Sequence, residues 1–314
     1  MKQPSKITLA DCIDQYIADH PEGRPFISTA CPSVVRLIRV RFPELIDRLL
    51  PIITPADLAA SLAAKEAMKK TGLKREDIGI FFISPCPAKV TATEDPLGID
   101  KSEIDKVLAI KRVYTALLPH MKHDDAGDTE YKRAGRIGVS WGLSGGEVSG
   151  LLTDSYIAAD GIENVIKVLE DLEDSKIQNV DYIELNSCTG GCVGGVLQVE
   201  NPYVAKTKLK LLRKYMPIAR SHLDGEIPEN AYWTNEVEYI PVFRLGATPT
   251  ESMEMMQKID ELAEALPGLD CGSCGAPSCR ALAEDIIRGV ANERDCIHLL
   301  KRFLHKISSD LNSL

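Results

Sequence analysis

The chain has 314 residues, 37 basic and 46 acidic side chains, and a formal net charge of −9. That length allows one large or two smaller domains, and the acidic balance argues against nucleic acid as a partner, because phosphate binding needs clustered Lys and Arg. No apolar run approaches the roughly 20 residues of a membrane span, and the N-terminal MKQPSKITLADC has no apolar signal core, so a cytoplasmic location is expected.

Strand-like and helix-like segments alternate along the chain. ADCIDQYIADH reads as an amphipathic helix that half-buries the thiol of Cys12. Residues 24–29 (RPFIST) read as a strand, and 32–50 as a helical segment interrupted near Pro43. Pro55–Thr71 combines strong helix formers with a proline at its start. Residues 78–84 (IGIFFIS) form a continuous apolar run, expected of a strand buried on both faces. Residues 100–118 read as a helix capped by Asp100 or Ser102. Residues 136–141 (RIGVSW) read as a strand leading into the turn GLSGG. The acidic HDDAGDTE reads as a solvated loop. Residues 162–174 are expected to be helical, Tyr182–Asn186 (YIELN) a strand, 204–215 a basic helix and 250–265 an amphipathic one. This alternation predicts an α/β architecture with mainly parallel sheets.

Eight of the nine cysteines fall into two sets of four. Cys31, Cys86 and Cys188 each follow a strand-like run (FISTAC, FFISPC, YIELNSC), with Cys192 close behind in CTGGC. Sites in open parallel sheets form beyond the carboxyl ends of the strands, where such loops converge. Gly190, Gly191, Gly194 and Gly195 would let backbone approach a cofactor and leave amide N–H groups to bond it. Lys89, three residues past Cys86, could offset negative charge or hold an anionic ligand. WGLSGG lacks the lysine of a P-loop. The second set, Cys271, Cys274, Cys279 and Cys296, is compact: one tight loop and one later position. Thiolates are soft anionic ligands, so each set suits a 4Fe–4S cluster, with structural zinc the alternative for the compact one.

TACP, SPCPAK, WGLSGG and CTGGCVGG, in this order, resemble the catalytic domain of iron-only (diiron) hydrogenases between residues 24 and 210. The resemblance implies two α/β lobes around a buried H-cluster, in which a 4Fe–4S cubane is joined to a diiron subcluster. It implies that Cys31, Cys86 and Cys188 hold the cubane, that Cys192 bridges it to the diiron unit, and that Lys89 contacts a diiron ligand. Pro55 would line the same pocket, and Trp141 and Gly142 stand where the family has Phe-Gly. Three departures stand out. Ala30 replaces the family's proton-relay cysteine and cannot carry a proton. Asn186 replaces a methionine, and Ala92 a glutamate, with Glu94 nearby. The family's N-terminal ferredoxin-like cysteines and Ala-Pro segment have no counterpart, which fits a fragment of a longer protein or a divergent member. The compact set resembles the small 4Fe–4S domain of corrinoid iron–sulfur proteins.

The expected organisation is therefore a hydrogenase-like domain at 1–248 and a mostly helical 4Fe–4S domain at 249–314. The expected function is slow, sensory or regulatory hydrogen chemistry with a ferredoxin-like redox partner or a signalling partner. The alternatives are a non-enzymatic module carrying two cubanes and no diiron unit, and a zinc-stabilised interaction protein.

Overall fold

The computed structural model describes residues 6–7, 9–121, 135–216, 223–224, 229–240 and 245–312; the HDDAGDTE loop lies outside them. The chain divides into two compact units, residues 1–240 and 241–314.

The first unit runs β1 (Lys6–Ile7), α1 (Leu9–Asp19), β2 (Phe26–Ile27), α2 (Pro32–Arg41), α3 (Pro55–Thr71), β3 (Phe81–Ser84), α4 (Ala88–Glu94), β4 (Lys106–Ala109), α5 (Ile110–Leu117), α6 (Arg136–Ser140), β5 (Tyr156–Asp160), α7 (Ile162–Glu173), β6 (Tyr182–Asn186), α8 (Pro202–Lys214) and β7 (Leu223–Asp224). Strands β2, β6 and β5 form a parallel sheet in that order, and β3 pairs with β4 in a second parallel sheet. β1 and β7 pair antiparallel.

The core is built on β6. Side chains alternate across a strand, so Ile183 and Leu185 share one face with Ile27 and pack against Val34 and Ile38 of α2 and Val165 and Leu169 of α7. Tyr182 lies on the other face with Phe26 and packs against Cys12, Ile13 and Ile17 of α1. Glu184 shares that second face by the same period of two. Cys12 is fully buried, and burial, with Asp11 nearby, pushes its thiol up to about 11.

Local signals explain α3. Thr54 accepts a hydrogen bond from the Asp57 N–H, Pro55 occupies the first turn, and Gly72 closes the helix at φ 71°. Three expectations need correction. Residues 136–140 form helix α6, not a strand, with Val139 N–H bonding Gly135 O and Ser140 Oγ bonding Arg136 O. The expected helix at 100–118 splits, because residues 106–109 pair with β3 and only Ile110–Leu117 is helical. β3 is not buried on both faces: Phe81 is 59% and Ile83 47% exposed, as a two-stranded sheet leaves one face uncovered.

The second unit is helical: α9 (Pro249–Ala265), α10 (Cys279–Ile287) and α11 (Ile297–Asn312). A capping box between Thr248 and Glu251 starts α9. Ile259, Leu266, Ala276, Leu282, Ala283 and Cys296 form its core.

Candidate metal centres

Three cysteine loops leave the carboxyl ends of parallel strands. Cys31 follows β2 and caps the start of α2, Cys86 follows β3, and Cys188 follows β6. Ser187 joins two of them, with its Oγ 3.6 Å from Cys31 Sγ and 4.0 Å from Cys188 Sγ. The charges of Cys31 and Cys86 act on Cys188, and those of Cys31, Cys86 and Cys188 act on Cys192. The four thiols thus lie within electrostatic reach of one another. Among the described residues no three His, Cys, Asp or Glu side chains close on a single ion. Cys192 is solvent-accessible, yet its surroundings are dense enough that burial pushes its thiol up to about 11, against the pull of Lys89. All four are free thiols. As a donor set they fit an iron–sulfur cluster.

Lys89, in the first turn of α4, donates to Ala30 O at 3.0 Å and so ties the second loop to the first. Its ammonium has three donors, which leaves two for another acceptor. The Ala30 N–H donates to Ser28 Oγ at 3.2 Å. Glu94, near Ala92, ends α4 with its carboxylate 3.9 Å from Lys106 Nζ, and its side chain is 64% exposed. Pro55 sits in the first turn of α3; Thr54 and Asp57 line a cavity of about 40 Å³ with Thr29, Ala92 and Trp233. Trp141 packs on the α1-side core.

The glycines act differently from expectation. All four N–H groups are bonded within the protein: Gly190 to Asp160 Oδ1 at 2.8 Å, Gly191 to Cys188 O, Gly194 to Gly191 O and Gly195 to Cys192 O. None is left over for sulfide. Close backbone packing explains them instead. At Gly191 (φ 90°) a Cβ would lie 2.5 Å from Ser144 N, at Gly194 1.9 Å from Thr189 O, and at Gly195 2.5 Å from Pro85 O. Backbone bonds complete the lock: Ser144 N–H to Gly190 O, Val193 N–H to Gly142 O and Leu197 N–H to Pro85 O. The CTGGC loop is thereby held to both WGLSGG and SPCP.

A buried polar group behind these loops was missed in the sequence. Glu184 accepts from the N–H groups of Gly145, Glu147 and Val148 and from Asn186 Nδ2. Glu147 accepts from Ser28 Oγ at 2.6 Å and Tyr182 OH at 2.9 Å. Burial raises both carboxyls, and burial with the neighbouring Glu184 brings Glu147 to about 7. The available signal was a lone glutamate at the centre of YIELN.

In the second unit Cys271, Cys274, Cys279 and Cys296 line one small cavity of about 10 Å³. Cys279 opens α10 and Cys296 immediately precedes α11. Asp270 Oδ1 accepts the Cys279 N–H at 2.6 Å and so fixes the loop. Hydrogen bonds from Ser273 hold the Cys271 thiol below its usual range, and His298 Nε2 lies 3.8 Å from its sulfur. His298 was not singled out in the sequence. The donor set again fits an iron–sulfur cluster.

The family model described as "Iron only hydrogenase large subunit, C-terminal domain" matches residues 6–156 and 146–196. A model described as "Putative Fe-S cluster" matches residues 266–298. Among curated proteins, the chain is 22% identical over 243 residues to the probable cytosolic Fe-S cluster assembly factor oxy-4 of Caenorhabditis elegans, covering 61% of this chain and 52% of that protein. It is 21% identical over 213 residues to the NADP-reducing hydrogenase subunit HndD of Solidesulfovibrio fructosivorans, covering 54% and 36% respectively. The chain thus spans about half or less of the curated relatives it matches. A solved structure of the FeFe-hydrogenase HydA1 from Chlamydomonas reinhardtii shares the fold at TM-score 0.50 and 14% identity, covering 66% of this chain and 71% of that one.

Proposed function

This chain belongs to the family defined by the C-terminal domain of the iron-only hydrogenase large subunit, and on that premise we propose that it is a slow, sensory or regulatory hydrogenase-like redox protein. Cys31, Cys86, Cys188 and Cys192 would hold a 4Fe–4S cubane, with Cys192 also bridging to a diiron subcluster. When bound, that subcluster would supply the centre for 2H⁺ + 2e⁻ ⇌ H₂. The mutual electrostatic reach of the four thiols and of Lys89 carries the reading. Lys89 anchors the first loop through Ala30 O and keeps two donors for an anionic diiron ligand. Ala30 offers no proton of its own, and Glu94 turns to Lys106, which supports slow turnover. Cys271, Cys274, Cys279 and Cys296 would hold a second cubane in a C-terminal domain that starts near α9. Electrons would come from a ferredoxin-like protein or pass to a signalling partner, with the cytoplasm as the setting.

The second reading, a two-cubane module without the diiron unit, is favoured by Ala30 and by Asn186, whose amide is engaged with Glu184. Anaerobic iron analysis separates the two: about ten irons with the diiron unit, about eight without it. Protein supplied with the diiron unit should show infrared bands of bound carbonyl and cyanide and should reduce dye with hydrogen. A cubane-loaded protein without those bands sinks the diiron assignment. Broad visible absorption would exclude the zinc alternative, since zinc is redox-silent.

A further inference from the structure

Two carboxylates are buried together behind the first cysteine loop, and cluster binding uses neither. Their surroundings differ. Glu184 accepts four N–H donors, the environment of an ionised carboxylate. Glu147 is only 5% exposed and, among the described residues, accepts from two hydroxyls. The charged and titratable groups acting on Glu147 are Glu184 and Tyr182 from β6 and Lys89 from α4. From α1, Cys12 packs in the same apolar cluster as Val148 and Tyr182, and its high pKa keeps it a neutral thiol. Burial and Glu184 favour the protonated form of Glu147, while Ser28, Tyr182 and Lys89 oppose it, which leaves it balanced near neutrality at about 7.

This carboxyl is wired to the cysteine site by two routes. Ser28 Oγ, which donates to Glu147, accepts the N–H of Ala30, the residue before Cys31. Lys89 acts electrostatically on both Glu147 and Cys192. A charge change at the thiols therefore reaches Glu147 through poorly screened protein.

We propose that Glu147 is the proton-coupling group of the N-terminal cysteine site, taking up one proton from water when the centre held by Cys31, Cys86, Cys188 and Cys192 gains one electron from a redox donor. The step balances: the carboxylate oxygen gains H⁺ as an O–H bond while an O–H bond of a solvent hydronium ion breaks to leave water, the iron centre is reduced by the one electron the donor gives up, and the net charge of the region is kept. The assignment rests on the cluster reading above.

The test compares the anaerobically purified, cluster-bearing full chain with its Glu147→Gln and Tyr182→Phe variants. Midpoint potentials of both centres are measured from pH 6 to 8.5. The N-terminal centre of the parent should fall with pH at a slope approaching about 59 mV per unit, the value of a tenfold concentration change in a one-electron couple. Glu147→Gln should flatten that slope and leave the other centre unmoved. Tyr182→Phe, which removes a donor to the carboxylate, should keep the slope but displace it to higher pH. Equal slopes in parent and Glu147→Gln overturn the proposal. A readout independent of metal accompanies it: infrared titration of metal-free protein should reveal a protonated carboxyl band that fades on passing neutral pH and is missing in Glu147→Gln. A metal-free parent without that band also overturns the proposal. Iron missing from the N-terminal site alone would overturn the cluster reading and this assignment together.

Discussion

Lys89 is the residue on which the first two loops depend. Its bond to Ala30 O spans 59 positions of sequence, and its charge lowers the cost of a thiolate at Cys192. Lys89→Ala should weaken retention of the diiron unit while visible absorption of the cubanes stays intact; equal diiron content in variant and parent would refute that role. The contact itself was only half legible. SPCPAK marked the lysine, but nothing local indicates that its nearest acceptor is the peptide of Ala30. Glu147 and Glu184 were harder still. Each reads as an ordinary charged residue until the strand period and the loop after α6 place them in contact. Their donors come from up to 119 positions away, and sequence pattern carries no signal over that distance.

At the scale of elements, the segments read correctly are those whose limits are written locally. The ends of α3 follow from Thr54, Pro55 and Gly72, and β6 from Tyr182, Ile183 and Leu185 in a run of strand length. The misread segments are those that a partner decides. Ile137 and Val139 favour extended backbone, yet α6 is a short helix packed against α8. Residues 106–109 are recruited into a strand by β3. The glycine loops were recognised, but their reason was not: they exist to let three loops touch. Gly191→Ala would force a Cβ within 2.5 Å of Ser144 N at a φ of 90°. The expected cost is about 1–3 kcal/mol of backbone strain, read as a lowered melting temperature. The same variant should lose the N-terminal centre and keep the iron held by the compact cysteine set. Full retention of both centres would show that the loop can shift without consequence.

For the whole molecule, the parallel α/β character was legible from alternation, and the helical second unit from its amphipathic pattern. Buried charge was not, and it makes stability depend on pH. The Glu147 carboxyl titrates near 7 in the folded chain, above the ordinary carboxylate value. The folded state therefore holds a proton that the unfolded chain has released. This contribution is fully present below the ordinary carboxylate pKa and is lost as pH rises toward and through 7. Denaturant unfolding of metal-free protein should show stability falling between pH 5 and 8 by an amount on the order of 3 kcal/mol from this group. Glu147→Gln should flatten the fall; an unchanged profile in the variant would assign the dependence to other groups.

β6 is the central strand of its sheet and one of the last to be made. Cys31 leaves the ribosome long before Ser187, 156 positions later, can sit beside it. At bacterial or eukaryotic elongation speeds of about 5–20 residues per second, that gap is roughly 8 to 30 seconds. During it, the nascent polypeptide carries the thiol of Cys31, later joined by that of Cys86, without the strand that would organise them. A cluster held by all four cysteines, as proposed above, would go in only after these loops have met. Early exposure to oxidant or to stray copper or zinc ions would reach those sulfurs before their loops have closed.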